Sequence, residues 1–568
     1  MKKVITMVLV LAMILSLAVP TFAATDYTLT INNTVDGHTY EAYQIFTGDL
    51  VTKDGRDVLS NIVWGSAVAD PAGLLAAINA DAKLSALHGA ADAAALAVKL
   101  SAVTSDSDTI DQFAEVVAPF LTVVAGTSTD VGDCYEITGL AAGYYLVKDQ
   151  DDTLDNKNDV YTKYIIRVLK DQSVTPKGDV PSVDKEINDT VDGTFNEVED
   201  FDISDTAYYK WTATLPSNLK SYEKYIYQFT DNLPKGLKFT RFEQIYIEGH
   251  DGNRVHTFYD VTDADPANDT LPAGISTNLV ENADMTSVLT LDFADLLTLY
   301  PSILPTHKLI VKYSCMVTRD ALFVNAMTNT VSAKFSNNPN GSGDGDLGET
   351  PDDVAHAFTF KINVDKYDAD NTATKLEGAE FVLYYERTVD DNTVSYYAQV
   401  VTEEMVYVVD GDGNVTSTLK PEAERMLNGT PVDGDDIGVV YGWTEVRSNA
   451  SVLDTDAAGQ LAVRGLDEGI YYLQETKAPA GYNLMETPVQ IKIVPKYTVA
   501  GNTASVEVSY EVDSIAQASD TVGVRNSSGS TLPVTGGIGT TLFYVFGSVM
   551  VLAAVVLLIT KKRMVTEA

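Results

Sequence analysis

Two stretches of this chain place a lysine where a strand should be apolar. In Val183-Asp184-Lys185-Glu186-Ile187, side chains alternate across the strand, so Val183, Lys185 and Ile187 share one face. The apolar pair turns that face inward and takes Lys185 with it. In the second stretch Phe358, Phe360, Ile362, Val364 and Lys366 are in phase, with Lys361, Asn363 and Asp365 opposite. Each lysine is followed by an acid and then an asparagine on other inward faces. After Lys185 come Tyr225, Tyr227, Phe229 and Asp231, and then Asn329, Val331, Ala333 and Phe335. After Lys366 come Tyr471, Leu473 and Glu475, and then Val522, Val524 and Asn526. A buried unpaired charge is costly and is normally avoided, so a twofold recurrence calls for a chemical use.

A lysine amine can attack the side-chain amide carbon of asparagine, release ammonia and leave an isopeptide bond. The amine must be neutral. Burial lowers a lysine pKa and raises that of a carboxylic acid, so the pair can stand uncharged. The protonated acid then polarises the amide and assists proton transfer. No metal or cofactor is required. Phase selects Asn329 but leaves Asn325 and Asn337 open as partners for Lys185, with Asn338 also near. Lys185 and Asn329 lie 144 positions apart and Lys366 and Asn526 lie 160 apart, each spanning nearly a whole region. By analogy with disulfides, closing loops this long is worth roughly 5 kcal/mol each.

Both ends of the chain are address segments. Lys2 and Lys3 precede an apolar run from Val4 to Val19, and Thr21-Phe22-Ala23 offers small residues for a signal peptidase. At the other end Leu532-Pro533-Val534-Thr535-Gly536 precedes an uncharged run from Thr540 to Thr560, then Lys561-Lys562-Arg563. About 20 uncharged residues can span a bilayer as a helix, and the basic residues hold the tail on the cytoplasmic side.

Between the ends, roughly 510 residues are too many for one core and suggest three domains. Frequent Tyr, Val and Thr with Asp/Asn/Gly turns predict short strands. The expected fold is all-β: tandem immunoglobulin-like β-sandwich domains, the first with a helical insertion over Ala72 to Leu100 and Ile110 to Val124, covering a sheet edge. The expected organisation is a signal peptide over 1–23, a first domain over 24–173, a linker over 174–180, a second domain over 181–340, a linker over 341–353, a third domain over 354–527 and a sorting signal over 528–568. Asp390 to Ala450 reads as a long insertion in the third domain, which could be an exposed binding face. A net charge of -41 excludes nucleic acid as a partner, since binding it requires phosphate neutralisation. Cys134 and Cys315 fall in different domains, so no disulfide framework is expected. Asp410-Gly411-Asp412-Gly413-Asn414 has acids at calcium-loop spacing, but Val415 replaces the needed glycine and a hairpin turn is expected. No zinc-protease, phosphate-loop or serine-elbow motif supports an enzyme.

The tail resembles the sorting signal of sortase substrates, surface proteins of Gram-positive bacteria. That resemblance implies cleavage between Thr535 and Gly536 by a membrane transpeptidase and transfer of Thr535 to an amine. The linker Val174-Thr175-Pro176-Lys177-Gly178-Asp179-Val180-Pro181 resembles the motif of Gram-positive backbone pilins, with Thr175 where the family usually has Tyr and Gly178 where it often has Asn. It implies Lys177 as the acceptor amine. The segment Glu475-Thr476-Lys477-Ala478-Pro479-Ala480-Gly481-Tyr482 resembles the signature of collagen-adhesin B-type domains. On that match Glu475 catalyses a Lys366–Asn526 bond. The second region, through Tyr227 to Leu237 and Asn329 to Pro339, resembles the A-type domain, and implies a Lys185–Asn329 bond with Asp231 as catalyst. The resemblance also implies partners: a sortase, identical subunits, minor tip and base pilins, peptidoglycan and a possible host ligand. A monomeric wall-anchored adhesin built from the same domains is the alternative reading.

The first region departs from the pattern. Gly143-Tyr144-Tyr145-Leu146-Val147-Lys148-Asp149 parallels the strand before Glu475, with Lys148 expected where the acid would be. Its opening strand, Tyr27 to Ile31, holds no lysine, and the first after the signal is Lys53. No internal bond of this type is expected there, and this domain should be the least stable.

Overall fold

The computed structural model describes residues 26–53, 55–104, 108–154, 158–176, 178, 180–262, 269–323, 325–339, 347–411, 415–427, 430–517, 519–529 and 538–566. The signal segment, Lys177, the motif Leu532 to Gly536 and most of the Asp410–Asn414 turn lie outside them. The chain divides into two compact units, Met1–Thr359 with Lys496–Glu507, and Phe360–Pro495 with Val508–Ala568. The described architecture is all-β, in paired sheets, as the strand periodicity implied.

The first unit opens with a sandwich. One sheet holds Tyr135–Leu140, Tyr27–Ile31 and Gln172–Val174, and the other holds Arg56–Trp64, Tyr40–Lys53, Gly143–Asp149 and Lys163–Val168. Leu29, Ile31, Tyr40, Ala42, Ile137, Tyr145 and Val147 fill the space between them. Three helices, Pro71–Ala80, Ala93–Leu100 and Asp108–Val117, form the insertion. Asp70 and Asp92 cap two of them by accepting from the backbone N–H of Gly73 and Ala95, and Pro71 begins the first. Their apolar side chains, including Leu74, Leu96 and Phe113, pack with Tyr43, Ile45, Phe46 and Leu146. The helices therefore cover a face of the sheet, not an edge. The reason is in Tyr40 to Phe46, which is apolar toward both sides and needs a second cover.

The second sandwich follows in the same unit. Its first sheet runs Val183–Asn188, Thr206–Thr214, Lys308–Val317, Leu237–Glu248, Arg254–Asp260. Its second runs Val198–Asp200, Asp353–Phe358, Met327–Ser336, Tyr227–Leu233, Ser287–Phe293, Ile275–Glu281. Leu347–Glu349 also pairs with Met327–Ser336. Residues assigned above to the second linker and to the start of the third region thus contribute two strands to the second sandwich. Asp353–Phe358 runs antiparallel to Met327–Ser336 and parallel to Val198–Asp200. Phe358 consequently stands on a different strand from Phe360, Ile362, Val364 and Lys366.

The second unit is built around a three-stranded sheet of Gln460–Leu466, Phe360–Asp368 and Thr521–Asn526, the last two parallel. A larger sheet includes Glu380–Val389, Gly469–Lys477 and Val489–Ala500. The expected insertion lengthens this sheet, because Asn392–Val400 pairs with Glu380–Val389 and Val440–Thr444 pairs with Asn392–Val400. The chain ends in the helix Ile538–Thr566, whose apolar span Phe543–Lys562 is long enough to cross a membrane.

Candidate functional site: two buried lysine–acid–asparagine clusters

The strand periods put all six side chains inward. Lys185, Asp231 and Asn329 are 1%, 0% and 0% exposed, and Lys366, Glu475 and Asn526 are 0%, 3% and 1% exposed.

In the third region Lys366 and Asn526 stand on neighbouring parallel strands. Lys366 is level with Val524 and Asp368 with Asn526, so the two side chains are diagonal neighbours on one face. The Lys366 amine contacts Asn526 Oδ1 directly. Glu475 reaches in from the other sheet. Its Oε1 is 3.1 Å from Lys366 Nζ, and its Oε2 accepts from Asn526 Nδ2 at 2.9 Å and from the Met485 N–H at 2.8 Å. Asn526 Nδ2 also donates to the Asn483 carbonyl at 2.6 Å. Burial pushes the Lys366 amine below its usual range, against the pull of Glu475. One carboxyl therefore touches both the lysine amine and the asparagine amide nitrogen.

The second-region cluster is wired differently. Lys185 lies on one sheet, and Asp231 and Asn329 lie on the facing one. A Lys185–Asn329 bond would bridge the sandwich, whereas a Lys366–Asn526 bond would join neighbours within a sheet. Lys185 Nζ donates to Asp231 Oδ2 at 2.5 Å. Trp211 Nε1 donates to the same oxygen at 3.1 Å. Burial lowers the Lys185 pKa and raises that of Asp231, although each attracts the charged form of the other. The rings of Tyr209, Trp211 and Tyr313 surround the amine at 5.1, 5.7 and 5.5 Å.

The alternatives for Asn329 separate in the folded chain. Asn325 is exposed. Asn337 is buried elsewhere, where its Nδ2 donates to the Asp159 carbonyl at 3.3 Å and its own carbonyl accepts from the Tyr161 N–H at 2.8 Å. Asn338 donates to Asp151 at 3.1 Å. The second cluster also spans less of its sandwich than the residue numbers suggested, since two strands follow Met327–Ser336 and pair with it.

The first region corrects one expectation. The inward acid at the position of Glu475 is Asp149, not Lys148: each acid is the sixth residue after the glycine that opens its strand, Gly143 or Gly469. Asp149 is fully buried and its partner is His38. His38 Nδ1 is 2.7 Å from Asp149 Oδ1, and Nε2 is 2.8 Å from Asp159 Oδ2. The Thr162 N–H and hydroxyl donate to Asp149 Oδ2 at 2.6 and 2.9 Å. Burial alone would lower the His38 pKa, but the two carboxylates outweigh it and raise it to about 9. His38 therefore stands as an imidazolium that donates to both. It sits just before a strand rather than within one, so no periodicity announced it. Lys163, which donates to Glu115 at 2.6 Å and to the Pro339 carbonyl at 3.0 Å, was also missed. Its acid comes from a helix, out of reach of strand phase.

In the linker that follows the first region, a Cβ on Gly178 would stand 2.7 Å from Val160 Cγ2 and 2.9 Å from Thr162 Cγ2. That close approach accounts for glycine at a place where the resemblance favours asparagine.

Residues 525–565 match the family profile of the LPXTG cell wall anchor motif. The chain carries a cell-wall anchor. It is a surface protein with a terminal apolar helix that serves as its membrane tether. Residues 427–507, which include Glu475, match the SpaA prealbumin-like fold domain. No curated protein matches the sequence. Among solved structures, the chain is similar to the T6 backbone pilin of serotype M6 Streptococcus pyogenes, at 15% identity and a TM-score of 0.44, over 89% of this chain and 99% of that one. It is similar to the fimbrial protein FimP of Actinomyces oris at 16% identity and a TM-score of 0.44, over 89% and 98%. It is also similar to the full-length major pilin SpaD of Corynebacterium diphtheriae at 14% identity and a TM-score of 0.42, over 89% and 98%.

Proposed function

We propose that this wall-anchored protein is the repeating structural subunit of a covalent surface pilus. A membrane sortase cleaves after Thr535 and passes its acyl group to Lys177 of the next subunit. The last subunit is passed to peptidoglycan, and minor tip and base subunits complete the fibre. Within each subunit, Lys185–Asn329 and Lys366–Asn526 bonds form without a cofactor, promoted by Asp231 and Glu475. The observation that carries this reading is the Lys366–Glu475–Asn526 contact. A buried amine, an acid and an amide meet there with one carboxyl on both reacting nitrogens, the arrangement that amide exchange needs and mere ion pairing does not. Covalent closure suits a long exported chain whose two cysteines are both free thiols.

Cell-wall extracts are expected to show a high-mass ladder that collapses to monomer in Lys177→Ala. A persistent ladder would move the acceptor to another lysine. A wild type without any ladder would leave the non-polymerised adhesin as the reading, with the anchor and internal bonds unchanged.

A further inference from the structure

The two clusters differ in how the acid reaches the amide. Glu475 touches the Asn526 nitrogen itself. Asp231 does not touch that of Asn329; between them stands the hydroxyl of Tyr313. This oxygen accepts from Lys185 Nζ at 3.0 Å and from Asn329 Nδ2 at 2.8 Å, and its proton goes to Asp231 Oδ2 at 2.5 Å. A tyrosine hydroxyl has one proton to donate and two lone pairs, so all three are in use. Each of its contacts is a member of the proposed reaction. We infer that Tyr313 is a catalytic residue of the second region, the group that carries the proton from the attacking lysine to the departing asparagine nitrogen.

This inference rests on the proposed Lys185–Asn329 bond and adds an actor to it. The step balances within the cluster. The neutral Lys185 amine attacks Asn329 Cγ, and the new Nζ–Cγ bond leaves Nζ with a proton too many. Nδ2, no longer conjugated in the tetrahedral intermediate, becomes basic. The Tyr313 hydroxyl then turns its proton from Asp231 to Nδ2, releases it there and takes the Nζ proton in its place; the Cγ–Nδ2 bond breaks, and ammonia leaves. Asp231 accepts the restored hydroxyl proton again and is unchanged. Such a carrier fits the geometry: Lys185 and Asn329 approach from opposite sheets, and the Tyr313 hydroxyl stands between them. Tyr313 lies on the strand Lys308–Val317, two strands from Lys185 in the same sheet, and reaches across the core. Burial raises the pKa of its hydroxyl well above the ordinary tyrosine range, so it remains a proton donor. Its ring is held by stacking on Tyr209 at 5.3 Å and by Trp211 at 5.0 Å.

The test is Tyr313→Phe, which keeps the ring and removes only the hydroxyl. Full-length chain is made by cell-free synthesis. At intervals, protease resistance and the two branched peptides, Lys185–Asn329 and Lys366–Asn526, are measured in the same sample. In wild type, the Lys185–Asn329 peptide is expected to appear together with protease resistance. In Tyr313→Phe, resistant but unlinked second region should accumulate first. Its bond should then form at least about tenfold more slowly, while Lys366–Asn526 keeps its wild-type rate. Linkage as fast as wild type overturns the role of Tyr313 and leaves the bond standing. A wild type that never yields the Lys185–Asn329 peptide removes the bond itself. If Tyr313→Phe never becomes resistant, the unlinkable Asn329→Ala background decides. An added Tyr313→Phe that lowers resistance there assigns the hydroxyl to folding and overturns the proposal; one that leaves it unchanged supports the carrier, since failure then follows only from the missing link.

Discussion

The first and third regions place an acid at the same point of the same kind of strand and use it for different ends. Asp149 and Glu475 each close an inward face six residues after a glycine. Asp149 meets an imidazolium, while Glu475 meets an amine and an amide together. A histidine beside a carboxylate makes a strong but reversible contact. Only a lysine amine next to a carboxamide can exchange a buried ion pair for an amide bond. An inward acid therefore needs a cation in either case; an imidazolium can answer it with charge alone, whereas a lysine with a nearby asparagine also has the groups for the bond proposed above.

Breaking the Lys366–Glu475–Asn526 side of this comparison should have the largest effect. Glu475→Ala leaves Lys366 buried without its acid, which costs about 3–5 kcal/mol, and removes the proposed catalyst of a closure worth roughly 5 kcal/mol. Intact mass of the otherwise unchanged chain should rise by one retained ammonia, about 17 Da, beyond the substitution itself. Protease resistance of the third region should fall. An unchanged deficit would show that the bond forms without Glu475.

The ionic side should respond to pH instead. His38 has a folded pKa near 9, above its ordinary 6.5. Its contribution is fully present below 6.5 and is lost as pH rises through about 9; the shift corresponds to roughly 3 kcal/mol. Unfolding of the first region, followed by protease digestion between pH 6 and 10, should become easier on the alkaline side. The two later regions, once cross-linked, should not follow it. In His38→Ala the alkaline weakening should disappear and the region should be weak throughout.

The smallest effect is expected at the junction that the same histidine supports. Asn337 bonds the backbone at Asp159 and Tyr161, just beyond the carboxylate that faces His38. Asn337→Ala removes one side-chain hydrogen bond, about 1 kcal/mol. It should raise amide exchange over Val160–Thr162 without changing either cross-linked peptide. A Lys185–Asn337 branched peptide in the wild type, absent from this variant, would instead make Asn337 the partner of Lys185.

Much of both clusters was legible because a strand has a period of two. Val183 and Ile187 on either side of Lys185, or Val522 and Val524 before Asn526, commit the polar residue to the interior whatever the rest of the fold does. Tyr313 was legible in the same way, in phase with Leu309, Val311 and Cys315, but an inward tyrosine looks like any core aromatic until its hydroxyl is seen to touch a lysine and an asparagine. His38 and the Glu115–Lys163 pair carried no periodic signal, since His38 lies on a loop and Glu115 on a helix. The break between Phe358 and Phe360 was hidden because apolar alternation continues across it.

The sequence by itself determined which side chains of the two clusters turn inward and where the wall anchor lies, because both depend on local pattern: alternation along a strand, and the length and flanks of an apolar run. The tertiary structure alone decided which inward groups meet. It placed Lys185 across the sandwich from Asn329 and Lys366 beside Asn526, gave the helices a sheet face to cover, and returned Asp353–Phe358 to the second sandwich. Pairing depends on strand order and sheet packing, which are set by contacts between residues from 16 to 160 positions apart.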